Sequence, residues 1–433
     1  MTPLRHLGRP PLRLDGGADG RWRLEGGGTL LNASGGPLVQ TLAQPPQPPD
    51  DLYDVVTPSG GVETPVRARL ERELLARAGI EAGGVLWASS GSDAMEIALW
   101  FADWHAHARH GRAAATYLVR RGGYHGNSFL TRFLSTRGGT EPERTLDGRR
   151  LVILDEHADG ASLPAAYVPA DPGPDPDGGG GRLLAALARA EAQGAIVPPA
   201  VLVVEGVPTT GHVLWPGAGD LARTVAWCRE RGILVVLDEI ASGCFRHGGL
   251  TALGPGAGAG ARPDVVTLSK GLTSGAYPLS CALLAPEHAE ALRSANQRPL
   301  TFTYGLTDAA AWFTLDCLSR YDALAGSGAF SRRAAAIRSL LEGRRSNAST
   351  AGVAATATTI RVDLPAALAE PAIAALRGRG LWAYLGSTAF PLREGAAARA
   401  FLHLCPPLDL EPAEAEAALA AGLGAVDAVL AEA

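Results

Sequence analysis

The sequence predicts an α/β protein with a mixed, mostly parallel sheet in a large domain and a smaller α+β domain behind it. Short apolar runs rich in β-branched residues alternate with helical stretches through the middle of the chain. The last of these runs follows its predecessor too closely for a helical crossover. Beyond it the chain is rich in alanine and mostly helical. With 433 residues and 46% hydrophobic side chains, the chain is long enough for two cores.

The strands of the large domain are predicted from near-continuous apolar runs. Such runs with helices between them are typical of a parallel sheet that is covered on both faces. Ser280–Ala285 follows Lys270 by too few residues for a crossover, so this strand is predicted to be antiparallel. The predicted parallel strands are Tyr117–Val119, Leu151–Leu154, Val201–Val204, Ile233–Leu237 and Val265–Leu268. The predicted helices are Thr64–Ala78, Asp93–Arg109, Leu183–Glu191 and Asp220–Arg231.

Shifts in composition divide the chain into three parts. Residues 1–60 are rich in Gly and Pro and are predicted to form an irregular arm that contributes to the small domain. Residues 61–313 are predicted to form the large domain and residues 314–433 the small domain. Short strands are predicted at Thr29–Leu31, Thr358–Val362 and Phe401–Leu404, and surface loops at Asp171–Gly181 and Gly254–Gly260.

Composition argues against several classes of function. The net charge is −5 without long blocks of like charge, which argues against binding of nucleic acid. The five cysteines show no C-x-x-C spacing, so we expect reduced core thiols and neither a disulfide framework nor a zinc site. His105, His107 and His110 do not share a helix face and are predicted to lie on a solvated surface rather than to bind a metal.

The same composition indicates where the protein works. No apolar run reaches the roughly 18 residues that a membrane span requires, and the N-terminal segment has no apolar signal core. We therefore expect a cytoplasmic protein with no membrane partner. Its partners are expected to be small molecules or another protein.

A single lysine, Lys270, stands among 39 basic residues. The bias toward Arg, Ala and Gly is typical of GC-rich coding, which replaces lysine by arginine wherever only a positive charge is needed. An ε-amine can lose its proton and form an imine with an aldehyde, whereas a guanidinium stays protonated. The sequence therefore predicts that Lys270 is kept for its chemistry, the alternative being chance survival on the surface.

Four segments where strands end or helices begin carry residues suited to one pocket. Lys270 ends the strand DVVTLSK, and Asp238 ends the strand ILVVLDEI. Ser89–Ser92 precedes a helix whose free N–H groups and positive dipole end suit a phosphate. Gly122–Gly126 places the ring of Tyr124 between glycines, where it can lie flat on a ligand. An imine-forming lysine, a phosphate cradle, a carboxylate and a stacking ring are what pyridoxal phosphate requires of a protein.

These motifs resemble those of the class III (ω-type) aminotransferases of fold type I. SSGSDAMEIAL resembles the family's S-G-S/T-E-A segment, GGYHG its Y-H-G, and VVLDEIASGCFRHG its D-E-V-Q-T-G-x-G-R-T-G. PDVVTLSKGLTSGAYPLS resembles the lysine segment and LCPPL the C-terminal P-P-L, all in family order from about Gly61 to Leu408. The resemblance implies a seven-stranded sheet, pyridoxal 5′-phosphate as coenzyme, a small-molecule amino donor and carbonyl acceptor, and a homodimer with shared active sites.

The resemblance also implies roles for particular residues. Lys270 forms the imine with the coenzyme and then moves the proton, while Asp238 pairs with the pyridinium nitrogen and keeps it protonated. Tyr124 and Ile240 cover the two ring faces, and Thr301 reaches the phosphate of the neighbouring subunit. The other implied coenzyme-binding residues are Ser90, Gly91, Ser92, His125 and Glu205. Taken singly, Asp238 also suits a helix cap, Tyr124 a core and Thr301 a turn.

The sequence departs from the family pattern where substrate is expected to pass. Ala241 stands in place of the glutamine that bonds the phenolic oxygen of the coenzyme. His403 stands in place of the arginine that grips an α-carboxylate, and a mostly neutral histidine offers only one donor. Arg393 and Arg399 are the two candidates to replace that arginine. The segments Glu205–Thr209 and Tyr304–Leu306 also differ from their family counterparts.

Three functions remain open from the sequence. The first is an aminotransferase that acts on a carbonyl in a biosynthetic pathway, with a sugar, polyketide, polyamine or modified peptide among the acceptors. The second is an aminomutase, epimerase or decarboxylase on the same scaffold. The third is a degenerate, non-catalytic subunit. Ala241 and His403 favour this function, whereas the retained lysine argues against it.

Overall fold

The structure is a computed structural model of the chain. It describes residues 14–34, 38–44, 46–49, 63–136, 143–156, 181–208, 218–253, 261–345, 353–356, 358–387 and 398–432. Arg393, the predicted loop Gly254–Gly260 and all but the last residue of Asp171–Gly181 lie outside the described residues.

Strands and helices alternate through the first three quarters of the described chain. The strands are β1 (Leu14–Ala18), β2 (Arg21–Leu24), β3 (Thr29–Asn32), β4 (Gly84–Ala88), β5 (Thr116–Arg120), β6 (Glu143–Leu146), β7 (Arg149–Leu154), β8 (Ala200–Glu205), β9 (Leu234–Asp238), β10 (Val265–Leu268), β11 (Ser280–Leu284), β12 (Val353–Ala355), β13 (Ile360–Pro365), β14 (Leu381–Trp382), β15 (Tyr384–Ser387) and β16 (Ala398–Leu404). The helices are α1 (Pro65–Arg77), α2 (Gly91–His110), α3 (Phe129–Leu134), α4 (Arg182–Ala192), α5 (Ala218–Glu230), α6 (Pro286–Ser294), α7 (Asp308–Gly326), α8 (Ala329–Arg345), α9 (Ala369–Gly378) and α10 (Pro412–Ala431).

The large domain is built on a mixed sheet of strand order β4-β11-β10-β9-β8-β5-β7-β6. The five central strands from β10 to β7 are parallel, and β11 is antiparallel to both of its neighbours. The predicted α/β class, the mostly parallel sheet and the antiparallel direction of Ser280–Ala285 are confirmed. Strand β6 pairs with β7 in an antiparallel hairpin and adds an eighth, edge strand to the seven that the resemblance implies.

Helix α2 covers one face of this sheet and begins where the functional site lies. The side chain of Ser90 caps its first turn, and Gly111 ends it in the left-handed conformation with φ 68°. Met95, Ile97 and Phe101 of this helix are fully buried. Burying a side chain of this size stabilises the fold by roughly 1.5–3 kcal/mol, so the start of α2 is firmly held against the sheet.

Two smaller sheets complete the described structure. The arm strands form a sheet of order β1-β2-β3-β14, in which β3 runs parallel to β14 from the last quarter of the chain. A second, antiparallel sheet has the order β12-β13-β16-β15. Its core includes Ile360, Val362 and Leu402. The predicted domain boundary at 313/314 falls inside α7.

The structure also shows where the cysteines and histidines that the sequence analysis discussed are placed. All five cysteines are buried free thiols, as predicted. No helix among the described residues is long and apolar enough to cross a membrane. The prediction that His105 lies on a solvated surface is wrong, because its ring is half-buried with its centroid 4.9 Å from that of His288, whereas His107 and His110 are exposed. Within the described ranges no group of His, Cys, Asp and Glu has a metal-binding arrangement.

Candidate active site

A cavity of about 380 Å³ lies at the carboxyl ends of the parallel strands, beside the start of α2. Asp238 ends β9, Glu205 ends β8, and Lys270 follows β10 after one residue. Glu205 and Lys270 are 65 positions apart in the sequence. Their side chains nevertheless meet, because the carboxyl ends of parallel strands share one edge of the sheet. The predicted residues that line the cavity are Ser90, Gly91, Ser92, Tyr124, His125, Glu205, Asp238, Ile240 and Lys270.

Asp238 is held by two hydrogen bonds at the floor of the cavity. Its Oδ2 lies 2.8 Å from Nδ1 of His125, and its Oδ1 accepts the backbone N–H of Ile240 at 3.1 Å. Both side chains are almost fully buried. Burial alone would lower the pKa of His125, but the hydrogen bond to Asp238 and its negative charge outweigh burial and raise that pKa. The pair therefore favours a protonated His125 at the floor of the cavity.

Glu205 brings a second carboxyl group to the same edge. Burial raises the pKa of Glu205 to about 7, with the charge of Asp238 acting in the same direction and that of His125 in the opposite one. Its Oε2 accepts the backbone N–H of Tyr124 at 3.4 Å. Glu205 thus joins strand β8 to the turn that carries the aromatic ring, and it is poised to exchange a proton near neutral pH.

The raised pKa of Glu205 predicts how stability changes with pH. A carboxyl group that binds its proton more tightly in the folded state contributes stability below its unfolded value of 4.5, and this is lost as pH rises through about 7. The loss corresponds to about 3 kcal/mol at 1.36 kcal/mol per pKa unit. Glu205→Gln is expected to remove this contribution to the pH dependence of stability. The contribution of Glu239 remains, because burial raises the pKa of Glu239 to about 7 as well.

The measurement for this prediction is urea unfolding between pH 4.5 and 8 at one protein concentration. The free energy of unfolding should fall less steeply with pH in Glu205→Gln than in the unchanged protein. Parallel curves for the two proteins would contradict the raised pKa.

The first turn of α2 forms a narrow cradle that closes against Ile240. Ser90 Oγ accepts the N–H of Asp93 as the helix cap, so its side chain serves the helix. A Cβ placed on Gly91 would lie 2.9 Å from Cγ2 of Ile240, which shows that only glycine leaves this space open. Ser92 Oγ accepts the N–H of Asn127 at 3.1 Å and ties the cradle to the turn after Tyr124.

That turn depends on one further glycine. Gly126 has φ +128°, and a Cβ on it would lie 2.6 Å from Thr131 Oγ1 and 2.7 Å from Ser92 Oγ. An L side chain here is therefore excluded by backbone conformation and by space. Gly126 lets the segment carrying Tyr124 and His125 approach the cradle closely.

Of four other residues singled out in the sequence, three do not line the cavity. Thr301 is exposed, does not line the cavity of its own chain and lies in a second cavity beside Trp87. Arg399 belongs to β16, and Ala241 lines the cavity. His403 is 1% exposed, its ring packs against Phe401 and it does not line the cavity, so its placement lends no support to the suggested substrate role.

Val39 and Tyr277 are among the cavity-wall residues that were not predicted from the sequence. Val39, from the arm, lines the cavity next to Gly275. A Cβ placed on Gly275 would lie 2.8 Å from Val39 Cγ1. Tyr277 also lines the cavity and stacks on Phe313 with ring centroids 5.8 Å apart. An aromatic seven residues after the lysine was a visible signal for Tyr277, whereas nothing in the local sequence marks Val39.

Comparison with known proteins identifies the family. The profile of the class-III aminotransferases matches residues 55–392. An omega-aminotransferase of Caulobacter vibrioides is 29% identical over 227 residues, which are 52% of this chain and 49% of that protein. A diaminobutyrate–2-oxoglutarate transaminase of Vibrio cholerae is 30% identical over 150 residues, 29% of this chain and 36% of that protein. The chain thus spans half or less of the length of these relatives. It belongs to the class-III aminotransferase family.

Solved structures extend the likeness of fold over nearly the whole chain. The omega-transferase of Vibrio fluvialis JS17 superposes with a TM-score of 0.75 at 20% identity, covering 98% of this chain and 99% of that one. The PLP-bound amine transaminase of an uncultivated Pseudomonas species gives a TM-score of 0.76 at 23% identity, covering 99% and 97%. Fold type I is therefore confirmed.

The described residues fit pyridoxal 5′-phosphate, the coenzyme of this family. The Gly91 cradle sits at a helix N-terminus, where N–H groups and the helix dipole suit a phosphate. Asp238 supplies a buried carboxylate for a pyridinium nitrogen, and Lys270 supplies the amine. Among the described side chains, His125 Nε2 is buried without a hydrogen-bond partner, and its position on the cavity wall leaves that donor for a bound group.

The cradle gives a first prediction on coenzyme binding. Gly91→Ala is expected to raise the dissociation constant for pyridoxal phosphate about tenfold, because the new Cβ displaces Ile240 and fills phosphate space at a cost of about 1.4 kcal/mol. Titration of the visible absorbance measures this constant. Gly219→Ala is the matched control, since it alters the first turn of α5 where a Cβ meets nothing nearer than 3.8 Å. Equal constants for the two variants would contradict the cradle.

Proposed function

We propose that this protein is a pyridoxal-phosphate-dependent aminotransferase that moves an amino group from an amino acid or amine donor to an aldehyde or ketone acceptor in a biosynthetic pathway. The observation that carries the proposal is the meeting of the single lysine with Asp238, the Gly91 cradle and Tyr124 at one cavity. Membership of the class-III family supports the same reaction class.

Each residue has a defined task in this proposal. When bound, the coenzyme supplies a ring that accepts the electron pair of a breaking C–H bond. Lys270 binds the aldehyde and then moves a proton at its Nζ as general base and acid. Asp238, oriented by His125, holds the positive charge of the ring nitrogen. Tyr124 and Ile240 hold the ring from its two faces and exclude water.

A homodimer with shared active sites completes the proposal. Thr301 is exposed and turned away from the cavity of its own chain, as a residue that serves the neighbouring subunit must be. It lies in a cavity of about 1000 Å³ that Arg67 and Trp87 also line, on a face that a second copy of the chain would cover. Tyr304 beside it is 76% exposed, and its burial by a partner supports association. Sedimentation at micromolar concentration should give the mass of two chains.

A donor screen tests the proposed reaction. The protein loaded with pyridoxal phosphate is mixed with single amino acids and amines, and the visible absorbance of the bound coenzyme is followed. A transaminase should lose this band with at least one donor and regain it with a carbonyl acceptor, whose aminated product is identified by mass spectrometry. A band that persists with every donor while one substrate is isomerised, epimerised or decarboxylated would overturn the proposal in favour of those reactions.

A further inference from the structure

The backbone that carries Lys270 is held in a conformation that a lysine rarely adopts. Lys270 has φ +38° and Ser274, four residues on, has φ +52°. We call residues 269–275 the lysine turn. Non-glycine residues persist with positive φ only where their surroundings over-determine the backbone, and such residues cluster at functional sites. The contacts that hold the lysine turn therefore also decide where the Lys270 amine points.

Tyr321 of α7 holds the lysine turn from one side. Its ring is fully buried, and its hydroxyl donates a 2.7 Å hydrogen bond to the carbonyl oxygen of Gly271, the residue that follows Lys270. Burial raises the pKa of the Tyr321 phenol, so the hydroxyl remains a donor. The ring is itself fixed, because it stacks on Phe245 with centroids 5.3 Å apart.

The N-terminal arm holds the same turn from another side. Ser274 Oγ accepts the backbone N–H of Thr41 at 2.9 Å and that of Leu42 at 2.8 Å. Gly271 is closely enclosed between these supports, since a Cβ on it would lie 2.6 Å from Cys244 Cβ and 3.1 Å from Thr41 Oγ1. The lysine turn is thus fixed at Gly271 and at Ser274 by segments that lie far from it in the sequence.

We propose that Tyr321 and Ser274 are positioning residues that hold Lys270 in its strained backbone conformation and so aim its amine into the cavity. Release of the Gly271 carbonyl lets Lys270 relax toward negative φ, which rotates its Cα–Cβ bond and carries Nζ away from Asp238. Neither side chain lines the cavity, so each acts only through the turn. The proposal deepens the proposed function, since it concerns the lysine on which that function rests.

The test compares Tyr321→Phe with Tyr117→Phe as a matched control. Tyr117 is also fully buried and donates one hydrogen bond, to Asp103 at 3.0 Å, but it lies in β5 away from the lysine turn. The full chain is freed of coenzyme, pyridoxal phosphate is added, and its capture by Lys270 is followed by absorbance and by visible circular dichroism, which reports a fixed orientation of the ring. Loss of a hydrogen bond of ordinary net strength predicts about fivefold slower capture for Tyr321→Phe.

Tyr321→Phe is also expected to weaken the visible circular dichroism, while Tyr117→Phe changes neither readout. The proposal is overturned if Tyr321→Phe captures the coenzyme at the wild-type rate, shows the wild-type circular dichroism and has a melting temperature lowered only as in Tyr117→Phe. Tyr321 would then serve only the stability of the core. Ser274→Gly tests the arm side independently, because it keeps the positive φ and removes the acceptor of Thr41 and Leu42. It too should slow capture.

Failure of the proposed function gives a different result. If the unchanged protein did not bind pyridoxal phosphate at Lys270, the proposed function would fall, but the positioning proposal would still be decided by acetylation with acetic anhydride. Lys270 is the only lysine, so peptide mass spectrometry reads its acetylation rate against that of the N-terminal amine. A rate that differs between Tyr321→Phe and the unchanged protein supports the proposal, and equal rates overturn it.

Discussion

Replacement of Lys270 by arginine is expected to slow transamination by about 10⁴-fold or more, because it removes both the nucleophile and the proton carrier. Arginine keeps the positive charge, so any loss is due to chemistry rather than to charge. The measurement is the single-turnover rate with the best donor from the screen, in protein saturated with pyridoxal phosphate. A rate close to that of the unchanged protein would contradict the role of Lys270.

The reverse exchange on the surface is the matched control. Arg293 on α6 has a side chain that is 59% exposed and pairs with Glu290. Arg293→Lys should leave the rate unchanged, and its new amine should hold no coenzyme, since an exposed lysine outside the cavity has neither the Gly91 cradle nor the ring-covering Tyr124 and Ile240 beside it. In Lys270→Ala, added methylamine should restore part of the rate, whereas in Lys270→Arg the guanidinium blocks the space.

Asp238→Asn is expected to lower the same rate by about 10²–10³-fold, the range found when one preorganised electrostatic contact is removed. An amide cannot hold the positive charge of the ring nitrogen, so the ring loses much of its capacity as an electron acceptor. The amide oxygen can retain the hydrogen bond to His125 Nδ1 at 2.8 Å, whereas the amide NH₂ cannot accept the backbone N–H of Ile240 as Asp238 Oδ1 does.

A second histidine–carboxylate pair, which is partly buried, gives the control for this change. His288 Nε2 lies 2.6 Å from Asp264 Oδ1, on a part of the sheet away from the cavity. Asp264→Asn should leave the rate of the loaded enzyme unchanged even where it lowers stability, because Asp264 Oδ2 also accepts the N–H of Val235. An equal fall in rate for Asp238→Asn and Asp264→Asn would show that Asp238 acts only through the fold.

Much of the fold was predictable because burial on both faces leaves a plain signal in the sequence. Strands β5, β8, β9 and β10 are fully buried and read as unbroken apolar runs. Strand β4, GVLWA, was missed although it is apolar, because it is a short edge strand, four of whose five residues are only partly buried. Strand β6 is a hairpin edge of polar composition, ERTL, and no periodicity marks it.

The site was predictable where its residues stand at strand ends, since the order of a doubly wound sheet brings such ends together. Lys270 and Asp238 were predicted in this way, whereas Glu205 was implied only by the resemblance to the class III aminotransferases. Residues that reach the site across long sequence separations were not found, and Val39 and Tyr321 are of this kind. The motif gives the place of His403 along β16 but not which way its side chain faces, and a shift of one residue in a strand exchanges the two faces.

The central claim is that the Lys270 amine forms a covalent bond with pyridoxal phosphate beside Asp238. Borohydride reduction of the coenzyme-loaded protein, followed by peptide mass spectrometry, tests it directly. We expect one stable phosphopyridoxyl group per chain, on the peptide that contains Lys270. Label confined to the N-terminal amine, or none at all, would contradict it.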